Sequence, residues 1–294
     1  MKSMKVKTAA KINLALDVSG RLENGYHTIK SVFQTVGIYD EVSVELTAES
    51  DEITVCCVQP ESLSKSDSVP GGEKNIAFRA AKLFLEAQKL NCGCAINIKK
   101  SIPSQAGMGG GSSDAAAVLH CLNELTGSAL TVEELAVMGK KLGADVPFFF
   151  TGGTAYVGGI GEEITPISDY SGRKLVIAKG VCGVSTDEAY AKIDALEAPE
   201  HPDVEELVRL IGNAPDESYT EFGNLFEAAI QLEEVLLIKK SMLDCGALNA
   251  VMTGSGSAVF GLFRDSASAE KSAERLKKQG FFAECCETVK DSFI

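Results

Sequence analysis

The stretch Ile102-Pro103-Ser104-Gln105-Ala106-Gly107-Met108-Gly109-Gly110-Gly111-Ser112-Ser113-Asp114 has the residue types of an anion-binding turn. Four glycines in five positions cannot pack a core, and each gives up much backbone entropy on folding, so something must compensate for them. A glycine-rich turn feeding a helix N-terminus points unpaired N–H groups and the positive end of the helix dipole at one place, where a phosphate can bind. Ser112, Ser113 and Asp114 are good N-cap residues, and Val118, Leu119, Leu122 and Leu125 recur at helical spacing until Thr126-Gly127. That context favours a phosphate turn over a merely flexible loop. Two familiar phosphate loops are excluded: no lysine follows the glycines as in a Walker A loop, and Ser112 stands where a dinucleotide fingerprint needs its third glycine.

Other residues invite chemistry but leave alternatives open. Asp145, in Gly143-Ala144-Asp145-Val146-Pro147, sits in an extended turn between a helix end and Phe148-Phe149-Phe150. It either caps that turn or is a partly desolvated carboxylate able to accept a proton. Lys11 lies on a strand face with Asn13 and Ala15, where a lysine is usually solvated unless a carboxylate meets it. In Gly25-Tyr26-His27, a tyrosine able to stack on a planar ring precedes an imidazole able to bond its edge; a ring packed under an Asn-Gly turn beside an exposed histidine fits equally well. Thr253-Gly254-Ser255-Gly256 is either an ordinary hairpin turn or a second ligand-contacting loop.

The elements that must position these residues follow from pattern. Strands are expected over Val6 to Val18, in the last part of Val36 to Leu46, over Ile53 to Val58 and over Ala95 to Lys100, the last leading into the glycines past Lys99 and Lys100. Glu61 to Glu73 reads as a long loop, after which Asn75 caps a helix over Ile76 to Leu90. Thr131-Val132-Glu133-Glu134 is a capping box for a helix ending at Gly143, and a strand surrounds Thr154 to Val157. A second domain is expected to begin with the strand Leu175 to Ala178, followed by a helix from Thr186 and an acidic, polar stretch from Glu197 to Tyr219 that contains His201. Asn224 opens a helix, Ser266 to Lys278 forms another, and a last strand falls near Phe281 to Cys285.

Bulk composition narrows the function class. A chain of 294 residues, 45% hydrophobic, favours two domains. No apolar run approaches the ~20 residues of a membrane span, and Met1-Lys2-Ser3-Met4-Lys5 lacks a signal-peptide core, so a cytoplasmic protein is expected. A net charge of −13 repels nucleic acid and anionic membranes. Nine scattered cysteines with no Cys-x-x-Cys read as reduced thiols rather than a disulfide framework or zinc site.

Taken together, Pro103 to Ser113, Gly143 to Pro147 and Thr253 to Gly256 resemble the three motifs of the GHMP small-molecule kinases, in order along the chain. Met108 stands where leucine is more usual, a volume-conserving change. Ala10-Lys11-Ile12-Asn13-Leu14 and Gly25-Tyr26-His27 resemble the branch of that family acting on a cytidine diphosphate-linked methylerythritol. The resemblance implies a two-domain α+β fold, residues 1–160 and 161–294, with ATP and substrate in the interdomain cleft. It makes Asp145 the proton acceptor and Lys11 its cationic neighbour. Gly107, Gly109, Gly110, Gly111, Ser112 and Ser113 become the phosphate cradle, with Pro103, Met108, Asn75 and Lys100 also serving ATP. Tyr26 and Tyr190 become stacking partners of the base, His27 the reader of its edge, Asn13 a substrate contact and Thr186 a contact to its phosphates. Mg2+ is expected with ATP, held mainly by phosphate oxygens and water, with Ser113 the candidate hydroxyl.

Overall fold

A computed structural model describes residues 2–47, 50–60, 63 and 71–294; most of the expected loop from Glu61 to Glu73 lies outside them. Two long antiparallel strands form the backbone of the larger sheet, β1 (Ser3–Arg21) and β2 (His27–Thr47). The first half of β2 escapes the alternation rule because Ser31 to Val36 are buried on both faces. Register shifts at Ala9/Ala10, Asn13/Ala15 and Val18/Gly20 are bulges that let so long a pair bend.

Strand β3 (Ile53–Val58) pairs in parallel with β4 (Gly93–Lys99), which pairs antiparallel with the second half of β2. The first half of β2 takes β5 (Thr154–Gly158), and β5 takes β6 (Glu163–Pro166). The expected boundary at 160/161 therefore falls in a turn between two strands of this sheet. Helix α1 (Ile76–Ala87) packs on α2 (Gly110–Thr126) against the sheet. Ala115, Ala116, Ala117, Val118 and Leu119 are fully buried, so α2 is enclosed on all sides rather than amphipathic. The capping box at Thr131 starts α3 (Val132–Lys140), and the phenylalanine run is a single turn, α4 (Phe148–Thr151).

The smaller sheet is antiparallel. It runs in the order Phe282–Glu287, Lys174–Lys179, Val259–Phe263, Asn249–Met252; in chain order these are β7 (Lys174–Lys179), β9 (Asn249–Met252), β10 (Val259–Phe263) and β11 (Phe282–Glu287). Between β7 and β9 the chain forms α5 (Thr186–Ile193), α6 (Val204–Asn213), the two-residue β8 (Gly223–Asn224), α7 (Phe226–Ala229) and α8 (Glu233–Asp244); α9 (Ser266–Lys278) precedes β11. The acidic stretch is thus not only solvated surface: within it Val204, Leu207, Leu210 and Ile211 form the buried stripe of α6, a spacing its many charges mask.

The two sheets share a core. Ile12, Leu14, Val32 and Val36 of the larger sheet meet Ile177, Val251, Phe260 and Leu262 of the smaller one. Strand β8 pairs in parallel with Ala15 and Leu16 of β1. After β11 the chain returns to the larger sheet: Val289 N donates to Thr35 O at 3.0 Å, Ala9 N to Ser292 O at 2.8 Å and Lys7 N to Ile294 O at 2.8 Å. No pattern marks this terminal strap in sequence, because its hydrogen bonds are made by backbone.

Candidate active site

Strand β1 carries Lys11 and Asn13 on one face, as alternation requires, and the bulge at Asn13/Ala15 resets the pattern beyond them. Lys11 is 3% exposed. Its Nζ donates to Asn13 Oδ1 at 2.8 Å, lies 4.4 Å from the centre of the Phe33 ring and stands 3.6 Å from Asp145 Oδ2. Burial pulls the Lys11 ammonium below its ordinary value, and Asp145 partly opposes that shift. The solvated alternative for Lys11 is removed by this placement. Asp145 lies in the turn before α4, where Val146 N donates to Gly143 O at 3.2 Å, so the segment is folded back rather than extended. Its side chain is 32% exposed and lines the cleft.

Asn13 is a junction. Its Oδ1 accepts from Lys11 Nζ, from Thr253 Oγ1 at 3.1 Å and from Gly254 N at 3.0 Å, while its Nδ2 donates to Ser31 Oγ at 2.9 Å. With Oδ1 accepting from three protein donors, any contact to a ligand is left to Nδ2.

The glycine-rich segment connects β4 to α2. Gly109 is in the left-handed region, with φ 70°, and is the N-cap of a helix that begins at Gly110 without any side-chain cap. Ser112, Ser113 and Asp114 are therefore not caps but lie inside the first turns; a glycine able to adopt positive φ moves the helix start five residues ahead of Ala115. The consequence is a helix end whose first N–H groups are left for an anion. A side chain at Gly107 would place its Cβ 2.1 Å from Thr253 O, and one at Gly254 would lie 2.8 Å from Gly107 Cα. The Thr253-Gly254-Ser255-Gly256 turn is thus packed backbone to backbone on the glycine-rich loop, and Gly254 and Ser255 line the cleft.

The loop serines differ. Ser112 lines the cleft, whereas Ser113 is fully buried, donating to Ala9 O at 2.7 Å and paired with Thr8 Oγ1 at 2.5 Å. Ser113 therefore faces β1 rather than a phosphate or a metal, a correction set by the helical turn that rotates it inward. Met108 is also buried, and its carbonyl accepts from Lys11 N at 3.0 Å. Lys100, 2% exposed, is held between two buried carboxylates: Nζ donates to Asp40 Oδ2 and, at 2.6 Å, to Asp114 Oδ2. Asp40 Oδ1 also accepts from Ser101 N at 2.5 Å and Ile102 N at 2.9 Å, fixing the start of the loop. Burial foremost, reinforced by Asp40, pushes the Asp114 carboxyl up to about 7 against the pull of Lys100. Asp40 carries no sequence signal, since its strand neighbours are ordinary.

Two connected lobes meet at Gly107 and Gly109. The smaller, about 410 Å³, is lined by Asn75, Lys100, Pro103 and Gly109 to Ser112. Asn75 caps α1 as expected, accepting from Ala77 N at 2.8 Å. The larger, about 670 Å³, holds Lys11, Asp145, Tyr26, His27, Thr186 and Tyr190. Tyr26, on the β1–β2 turn, is 61% exposed and available to stack. His27 and Tyr190 stack on each other with centroids 4.6 Å apart and planes 15° apart. Tyr190 also packs on Phe226, and burial pushes its phenol up to about 12. Thr186 Oγ1 is 3.3 Å from Ser255 Oγ, so α5 touches the Thr253 turn. Sequence reasoning missed Asp194, which accepts from Arg21 at 2.9 Å and bonds His27 Nε2 at 2.7 Å. The signal available was spacing: Thr186, Tyr190 and Asp194 fall at i, i+4 and i+8 on one face of α5.

Comparisons with known proteins agree with this geometry. Residues 75–153 match the GHMP kinases N terminal domain and residues 193–281 the GHMP kinases C terminal. A 4-diphosphocytidyl-2-C-methyl-D-erythritol kinase of Clostridium acetobutylicum is 38% identical over 94% of this chain and 96% of its own. That of Clostridium tetani is 40% identical with the same coverage. A crystal structure of 4-(cytidine 5'-diphospho)-2C-methyl-D-erythritol kinase superimposes with a TM-score of 0.78 at 30% identity, covering 97% of this chain and 98% of that one. A homoserine kinase from Cytophaga hutchinsonii shares the fold, with a TM-score of 0.76 at 19% identity. The chain belongs to the GHMP kinases and, within them, to the 4-diphosphocytidyl-2-C-methyl-D-erythritol kinase family.

Proposed function

We propose that this enzyme transfers the γ-phosphoryl group of ATP to the 2-hydroxyl of 4-diphosphocytidyl-2-C-methyl-D-erythritol, an isoprenoid precursor. The observation that carries the reading is the buried Lys11 ammonium 3.6 Å from a half-exposed Asp145, beside an uncapped helix start. Phosphoryl transfer needs mostly positioning and charge stabilisation. The N–H groups at Gly110, Gly111 and Ser112 hold the ATP phosphates, and the smaller lobe holds the rest of the nucleotide. Asp145 takes the hydroxyl proton as the oxygen attacks the γ-phosphorus and the bond to the β–γ bridging oxygen breaks, releasing ADP, while Lys11 stabilises the negative charge that develops on the attacking oxygen. The cytidine end occupies the larger lobe, with Tyr26, His27 and Tyr190 around the base and Thr186 near the diphosphate.

Among the described residues no cluster of three acidic, histidine or cysteine side chains forms a metal cage. That donor set suits Mg2+ held mainly by phosphate oxygens and water, with the Ser112 hydroxyl as the protein oxygen at the loop. When bound, the ion neutralises phosphate charge. We place the reaction in the cytoplasm; no helix among the described residues is long and apolar enough to cross a membrane. We also divide the chain into an N-terminal and a C-terminal domain with the cleft between them, and because β6 pairs with β5 the boundary expected at 160/161 moves to beyond Pro166.

ATP consumption measured across 4-diphosphocytidyl-2-C-methyl-D-erythritol, mevalonate and homoserine tests the assignment. Turnover is expected with the cytidine compound alone, and preference for either other acceptor rejects it.

A further inference from the structure

Asp194 occupies a position that helix energetics disfavour. It is the C-cap of α5, where the helix dipole is negative and a cation would be the stabilising choice. Its carboxylate is nonetheless held there by two partners from the β1–β2 hairpin: Arg21 on Oδ2 at 2.9 Å and His27 Nε2 on Oδ1 at 2.7 Å. The His27 hydrogen bond is the largest influence that keeps its carboxyl below the usual range, and the Arg21 charge adds to it.

An ionised carboxylate only accepts, so the proton of the His27–Asp194 hydrogen bond sits on Nε2. In the neutral form of the ring that arrangement leaves a lone pair at Nδ1. Among the described residues nothing hydrogen-bonds Nδ1, while the ring itself lines the larger lobe of the cleft. Tyr190, one turn before Asp194 on the same face of α5, stacks on the ring and fixes its plane. One helix therefore sets both the plane and the tautomer of a histidine that belongs to another element.

We propose that Asp194 is a positioning residue for base selection: by fixing the proton of His27 on Nε2 it makes Nδ1 an acceptor, so the cleft takes a pyrimidine whose edge carries an amino group and rejects one carrying a keto oxygen. This rests on the cytidine reading above and goes beyond it by assigning the choice between cytosine and uracil to a residue outside base contact. Cytosine offers an N4 amino donor where uracil offers an O4 acceptor. Two lone pairs facing each other leave both groups unpaired in a half-buried site, which is the stronger form of discrimination.

The test compares kcat/KM for 4-diphosphocytidyl-2-C-methyl-D-erythritol and its uridine counterpart in the native chain, Asp194→Asn and His27→Ala. Asparagine can offer His27 either an amide N–H or a carbonyl, so both tautomers become accessible. The cytidine-over-uridine ratio is expected to fall at least about tenfold in Asp194→Asn, with the loss in KM for the pyrimidine substrate rather than in kcat. The ¹⁵N resonances of His27 in the free native protein should report a protonated Nε2 and a bare Nδ1, and in Asp194→Asn a mixture. An unchanged ratio in Asp194→Asn, while His27→Ala raises the KM of the cytidine substrate, overturns the proposal and leaves the proposed function standing. If His27→Ala also leaves that KM unchanged, the assignment of the base to this lobe falls, and the proposal with it.

Discussion

The two buried lysines of the cleft have nearly equal exposure and opposite electrostatics. Lys100 lies between Asp40 and Asp114, both buried, and its ammonium is raised above the ordinary value despite the desolvation that is the largest influence on it. Lys11 has one carboxylate at 3.6 Å, itself partly exposed, and its ammonium is lowered. A lysine with more anionic charge around it than it can neutralise is a fixed strut. A lysine with less than it needs keeps attraction in reserve for an incoming phosphate or alkoxide. Burial alone does not distinguish structural from functional charge; the balance of partners does.

Four substitutions probe that contrast. Asp145→Asn removes the proton acceptor while keeping its shape, and kcat is expected to fall by roughly 10²–10⁴-fold, with ATP binding retained in calorimetry. Near-normal turnover would place the proton acceptor elsewhere. Lys100→Met strips the strut from two buried carboxylates and should lower unfolding free energy by about 3–5 kcal/mol in urea titration. Lys11→Met is the sharpening control: it removes an under-compensated buried charge, so stability should change by less than about 1 kcal/mol while turnover falls at least about 100-fold. Equal destabilisation by both methionines would erase the distinction.

The fourth and smallest effect is in pH. Because the Asp114 carboxyl is raised from 3.8 to about 7, the folded protein keeps a proton that the unfolded chain releases. Stability from this group is fully present below 3.8, declines as pH rises through about 7, and is level above. Asp114→Asn should flatten that decline, so that the urea midpoint changes less between pH 4 and 8 than it does in the native chain.

What could be read in the sequence divides along physical lines. Local rules reached the helix caps at Asn75 and Thr131, helices α5 and α9 and the strand that feeds the glycines. They failed where partners are distant in sequence: Asp40 and Asp114 on Lys100, Asp194 on His27, the terminal strap on β1, and β8 beside Ala15. They also misjudged α2, whose start depends on one glycine adopting a left-handed angle, so that Ser113 turns inward and Ser112 takes the cleft. Only the family resemblance joined Lys11 to Asp145, since the residues alone left a strand lysine and a turn aspartate with ordinary alternatives, and the folded chain supplies their separation.

The contact between Gly107 and Gly254 limits how this sequence can drift. Each position meets main chain of the opposite turn, so no shrinkage of a neighbouring side chain could make room for even one methyl group at either. A substitution in one turn has no compensating partner in the other, and the pair is locked to a single letter from both sides. A random mutational survey of the gene should therefore find these two codons as intolerant as those of Lys11 and Asp145, although neither glycine has a side chain to contribute to the reaction.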